Sequence, residues 1–214
     1  MNKIGFLFDL DGVLIDSESE YTRIWTEIDR RYPTGKENLA HRIKGQTLHK
    51  ILTENYPDEA TRKEVSDLLH ELEGQMKYRY CKGAERLLDD LRERSLPSAV
   101  VTSSDEMKMS HLYSDVPEFR FKINEVIDAS KVTRSKPDPQ GYLLGAQALD
   151  CDINHCVVFE DSLQGVKAGR ASGAYVVGII GTKTREELLP FSDVVIDSLD
   201  QVDIDKLAQL LAAR

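Results

Sequence analysis

Six short, largely apolar runs punctuate this 214-residue chain, at residues 4–8, 98–102, 125–127, 156–159, 175–179 and 194–196. Each is too short for a helix and is bounded by polar or glycine-containing segments. The runs are continuous, not alternating, the pattern of strands covered on both faces of a parallel sheet. Helical segments fall between them, at 84–94, 139–149 and 163–171. This alternation predicts an α/β fold, a doubly wound parallel sheet.

Residues 17–80 have a different texture. Apolar positions recur at helical spacing (Tyr21, Ile24, Trp25, Ile28, then Val65, Leu68, Leu69, Leu72), and no strand signal interrupts them. The chain is therefore expected to divide into a core, 1–16 with 81–214, and an all-helical cap, 17–80, inserted after the first strand. Asp16-Ser17 followed by Glu20 reads as a capping box opening the insertion. Two chain crossings would join the insertion to the core, a geometry suited to a hinged lid; a rigid extra helical layer is the plainer alternative.

Composition bounds the partners. With 41% hydrophobic and 30% charged residues, the chain can bury one full core plus a small appended unit. Asp and Glu outnumber Lys and Arg by 37 to 28, a formal charge of −9. Residues 15–82 hold 13 acids and 12 bases and the remainder 24 and 16, so the acidity belongs to the core. No basic field is available to gather nucleic acid or anionic lipid. The apolar runs fall short of the roughly 18–20 residues that span a bilayer, and the start of the chain reads as neither signal peptide nor anchor. Cys81, Cys151 and Cys156 are odd in number and show no C-x-x-C spacing, so a reducing cytoplasm is the expected compartment. The five histidines show no zinc-type pairing.

Ligands of open α/β sheets collect at the carboxyl ends of the strands. Polar residues follow the runs in a consistent way: Asp9 and Asp11 after the first, Thr102-Ser103-Ser104 at the second, Lys136 beyond the third, Glu160-Asp161 at the fourth. Carboxylates gathered on one rim repel unless a cation neutralises them, and a hard divalent ion with oxygen ligands does so most simply. Magnesium is the expected ion, with Asp9 and Asp161 among its ligands. Lysine, hydroxyl and metal together suit a phosphoryl group. Two aspartates at i and i+2 go further than binding, because one can attack phosphorus while the other handles protons. Asp9 is the expected nucleophile and Asp11 the expected acid and base.

The same residues carry a family resemblance. The stretch Phe8-Asp9-Leu10-Asp11-Gly12-Val13-Leu14-Ile15-Asp16-Ser17 resembles the first motif of the haloacid dehalogenase superfamily. Val101-Thr102-Ser103-Ser104, Ser135-Lys136-Pro137-Asp138-Pro139 and Val158-Phe159-Glu160-Asp161-Ser162 resemble the second to fourth, in the right order and spacing. The resemblance implies Asp11 as a metal ligand through its backbone carbonyl and Thr102 and Lys136 as binders of the phosphoryl oxygens. It also implies Ser103 assisting through its amide with Ser104 beside it, Asp161 holding Mg²⁺, and Glu160 assisting directly or through water.

The insertion resembles the cap of the subgroup that contains β-phosphoglucomutase and many sugar phosphatases. There Tyr21, Lys44, Gly45, Gln46 and Lys77 are the candidate substrate contacts, whereas Trp25 stands at a core spacing. Dehalogenation needs neither the metal nor an acid at position 11, so the acidic set argues against it. The mutase pattern has a histidine and an arginine where this chain has Tyr21 and Leu48, and a leucine cannot hold a second phosphate. A phosphatase acting on a small phosphorylated metabolite is the first expectation, a phosphosugar mutase the second, and a non-catalytic phosphometabolite-binding module the third. A monomer or weak homodimer is expected.

Overall fold

The computed structural model describes residues 3–43 and 48–212. Among the described residues, six parallel strands form one sheet: β1 (Gly5–Phe8), β2 (Ser98–Val101), β3 (Glu125–Ile127), β4 (Cys156–Glu160), β5 (Tyr175–Ile179) and β6 (Val194–Ile196). Their spatial order is β3-β2-β1-β4-β5-β6, with β1 pairing β2 on one side and β4 on the other. β1, β2 and β4 are buried along their whole length, which is why their apolar runs do not alternate. The direction of winding reverses beside β1, so the crevice outside the carboxyl ends of β1 and β4 is the switch point where such sheets bind ligands.

The chain divides into two compact units, Met1–Asp16 with Arg79–Arg214, and Ser17–Tyr78. The second unit consists of α1 (Glu18–Arg31), α2 (Leu39–Arg42), α3 (Leu48–Asn55) and α4 (Glu59–Glu73). Ile24, Trp25 and Ile28 of α1 are buried, as are Val65, Leu68, Leu69 and Leu72 of α4, so Trp25 is a packing residue. The capping box expected at Ser17 does not form. Ser17 occupies the N-cap of α1, but its backbone is already helical (φ −92°, ψ −14°) and its side chain makes no capping bond. A capping hydroxyl needs an extended backbone to fold back over the first turn. The reciprocal box occurs instead at Thr184 and Glu187.

In the first unit the sheet is flanked by α5 (Ala84–Glu93), α6 (Glu106–Asp115), α7 (Phe119–Lys122), α8 (Gln140–Ala148), α9 (Leu163–Ser172), α10 (Arg185–Leu188) and α11 (Ile204–Ala212). α8 packs on β1, β2 and β3, while α9 packs on β4 and β5. Both sheet edges are blunted by a cation. Lys131 Nζ donates to the Val126 carbonyl of β3 at 2.6 Å, and Arg185 Nη1 donates to the Val195 carbonyl of β6 at 2.5 Å. An edge carbonyl so engaged is a poor template for another strand.

Candidate active site

The site is built from the residues that leave β1, β2 and β4 and from the loop before α8. After β1 the chain turns tightly, with the Leu14 and Ile15 amides both donating to the Leu10 carbonyl at 2.9 Å. Gly12 makes that turn possible at φ +77°, and a Cβ there would strike the Asp161 carboxylate. The Asp9 amide donates to the Phe159 carbonyl at 3.0 Å, tying the start of the loop to β4.

Lys136 connects the strands. Its Nζ lies 2.5 Å from Asp9 Oδ1, 2.6 Å from Glu160 Oε1 and 3.0 Å from the Val101 carbonyl at the end of β2. Burial disfavours its charge, but the Asp9 and Glu160 carboxylates outweigh that and raise its pKa above the ordinary lysine value. The ring of Tyr142, with its centroid 5.2 Å from Nζ, adds a cation–π contact.

Glu160 is fully buried and both its oxygens are engaged. Oε1 accepts from Lys136 and from the Tyr142 hydroxyl at 2.8 Å; Oε2 accepts from the Ser162 amide at 3.1 Å and hydroxyl at 3.0 Å. The Ser162 hydroxyl also accepts from the Gly165 amide at 3.0 Å, so one side chain caps α9 and steadies Glu160. Asp161 is different. It is 2% exposed, and its Oδ2 is buried with no hydrogen-bond partner among the described residues.

Asp9, Glu160 and Asp161 each offer an oxygen within 4.8 Å of the others. Burial pushes the Asp9 carboxyl up to about 7 against the pull of Lys136. Burial, reinforced by Glu160 and Asp9, pushes Asp161 up to about 8. A buried, partnerless carboxylate oxygen beside two further carboxylates is a donor set suited to a hard cation, and Lys136 alone does not neutralise it.

Asp11 is held by another set of groups. Lys108 Nζ of α6 lies 2.6 and 2.7 Å from its two oxygens, and Ser104 Oγ donates to Oδ2 at 3.0 Å. Thr102 is buried at the end of β2, its Oγ1 accepting from the Ser104 amide at 3.0 Å, and Ser103 is exposed beside it. In the helical unit the Tyr21 hydroxyl donates to Glu73 at 3.0 Å and Lys77 is exposed. Lys44 and Gln46 lie outside the described residues.

Lys108, Tyr142 and Ser162 escape sequence reasoning as site residues. Ser162 stands in the fourth motif, and its place three residues before Gly165 is a signal for a helix cap. Nothing in the local pattern around Lys108 or Tyr142 distinguishes them. Cys81 also lies close to the acidic rim: burial, with Asp16, Asp161 and Asp11 nearby, pushes its thiol up to about 12, which keeps it protonated and unreactive.

A family model described as haloacid dehalogenase-like hydrolase matches residues 5–173. The chain is 34% identical to hexitol phosphatase A of Escherichia coli, with 94% of each chain covered. It is 28% identical to validoxylamine A 7'-phosphate phosphatase of Streptomyces hygroscopicus subsp. limoneus, over 92% of this chain and 94% of that one. Among solved structures, a HAD family hydrolase from Deinococcus radiodurans superposes with a TM-score of 0.82 at 23% identity, covering 98% of this chain and 97% of that one, a likeness of fold.

Proposed function

The chain belongs to the haloacid dehalogenase-like hydrolases, and on that premise we propose that it is a phosphatase that hydrolyses a small phosphorylated metabolite, a sugar or polyol phosphate, through a phosphoryl group carried on Asp9. The observation that carries this reading is the Asp9 carboxylate at the switch point, paired with Lys136 and followed two residues on by Asp11. In the first half-reaction an Asp9 oxygen forms a bond to phosphorus as the ester P–O bond breaks, and Asp11 gives its proton to the departing alkoxide. In the second, water attacks the same phosphorus, Asp11 takes the water's proton, and inorganic phosphate leaves as the Asp9 carboxylate is regenerated.

Lys136 supplies positive charge beside the attacking oxygen and, with Thr102 and the Ser103 amide, binds the phosphoryl oxygens. Asp9, Asp161 and the Asp11 backbone carbonyl would hold Mg²⁺, with Glu160 assisting from alongside. Bound there, the ion offsets charge on the phosphoryl oxygens and on the carboxylates around it. Choice among substrates is assigned to the helical insertion, with Tyr21, Lys44, Gln46 and Lys77 as candidate contacts. The mutase reading lacks its cation at Leu48, and the hydroxyl of Tyr21 is already committed to Glu73.

The test is phosphate release from a panel of sugar, polyol and nucleoside phosphates, with and without chelator. Metal-dependent release from at least one polyol or sugar phosphate is expected, and Asp9→Asn should lower it by on the order of 10³-fold or more, since nucleophile and bond-forming atom are one. Release by Asp9→Asn at the parent rate would overturn the assignment.

A further inference from the structure

Lys108 is a cation at the candidate site that none of the four motifs contains. Its placement is fixed locally. Asp105 caps α6, its carboxylate accepting from the Lys108 amide at 2.9 Å, and Met109 and Leu112 bury the helix face that follows. The side chain then reaches across to Asp11, with Nζ 2.6 and 2.7 Å from the two oxygens. The lysine and aspartate side chains are only 17% and 32% exposed, unlike the solvated ion pairs that contribute little. Ser104, four residues earlier, donates to Oδ2 of the same carboxylate. One segment, 104–108, therefore makes three contacts with a side chain that enters from β1.

We infer that Lys108 is a positioning residue for phosphoryl transfer: with Ser104 it holds the Asp11 carboxyl group through Oδ2, while Oδ1 is released from Lys108 to carry the proton that serves the ester oxygen. The inference rests on Asp11 being the acid and base of the proposed reaction. An aspartate on a loop samples several rotamers, and proton transfer requires the oxygen to stay within hydrogen-bond reach of the leaving group. Lys108 and Ser104 together remove that freedom. The competing role is direct binding of the phosphoryl group by Lys108, which would affect every phosphate ligand alike.

The two roles separate by leaving group. The kcat/KM value reports steps up to P–O cleavage. A p-nitrophenolate departs without a proton, whereas the alkoxide of an alkyl phosphate needs one. Lys108→Met, Lys108→Arg and Ser104→Ala would each be compared with the parent on p-nitrophenyl phosphate and on the alkyl phosphate turned over fastest in the panel above. Inhibition by inorganic phosphate and the thermal melt would be measured alongside.

Lys108→Met is expected to lower the alkyl-to-aryl ratio of kcat/KM by about tenfold or more, with inhibition by phosphate retained. Ser104→Ala should move the ratio the same way by less, and Lys108→Arg, which keeps two donors, should recover part of it. An equal fall on both substrates, an unchanged ratio, or a parallel loss of phosphate affinity would overturn the positioning role. Should Lys108→Met not fold, the Ser104→Ala and Lys108→Arg ratios decide by the same criterion. Such results would leave the Asp9 assignment standing, because that depends on the Asp9→Asn measurement.

Discussion

Asp161, at the candidate site, shows what a buried carboxyl with a partnerless oxygen costs in stability. Its carboxyl is pushed up to about 8 and that of Asp9 to about 7, whereas both titrate near 3.8 when unfolded. In this window the folded chain binds more protons than the unfolded chain, so the contribution of these two groups to stability is full below about 4 and is lost as pH rises through about 7 and about 8. Metal-free protein should therefore melt progressively lower from about pH 5 to about pH 8. Asp161→Asn should flatten that slope and raise the melting temperature at the alkaline end. A divalent cation should raise the parent's melting temperature more at pH 8 than at pH 5, and the variant's less at either pH. A parent melt independent of pH in chelator would contradict the buried, ionisable character given to Asp161.

At the scale of elements, the junction of β4 with α9 decides whether Glu160 stays where Lys136 needs it. Gly165 lies against the Glu160 carboxylate so closely that a Cβ would occupy the same space. Gly165→Ala should displace either the helix or the carboxylate, costing about 1–3 kcal/mol as an overpacked site does, with activity falling by more than the melt alone explains. Parent-like stability and turnover would show that Glu160 tolerates movement. β1, β2 and β4 are legible in the sequence because burial on both faces leaves an unbroken apolar run, as in Leu7 or Val157 and their neighbours. α6 is not, because only Met109 and Leu112 of its ten residues are buried and the periodicity is faint. The box at Ser17 fails because sequence spacing says nothing of the backbone dihedral a cap requires.

For the whole molecule, parallel topology gathers residues from 9 to 161 on one rim, and short motifs at strand ends make most of them visible in the sequence. Lys108 and Tyr142 are invisible there because their partners, Asp11 and Glu160, lie far away along the chain and no periodicity links them. The formal charge of −9 belongs almost wholly to the core, and the acidic rim contributes to it. No helix among the described residues is long and apolar enough to cross a membrane.

In the proposed reaction the phosphoryl group passes through Asp9. Acid-quenching the enzyme during turnover of its best substrate, followed by peptide mass mapping, tests it most directly. One added phosphoryl group is expected on the peptide containing Asp9 in the parent and none in Asp9→Asn. A phosphoryl group on any other residue, or full turnover by a chain that lacks the Asp9 carboxylate, would contradict it.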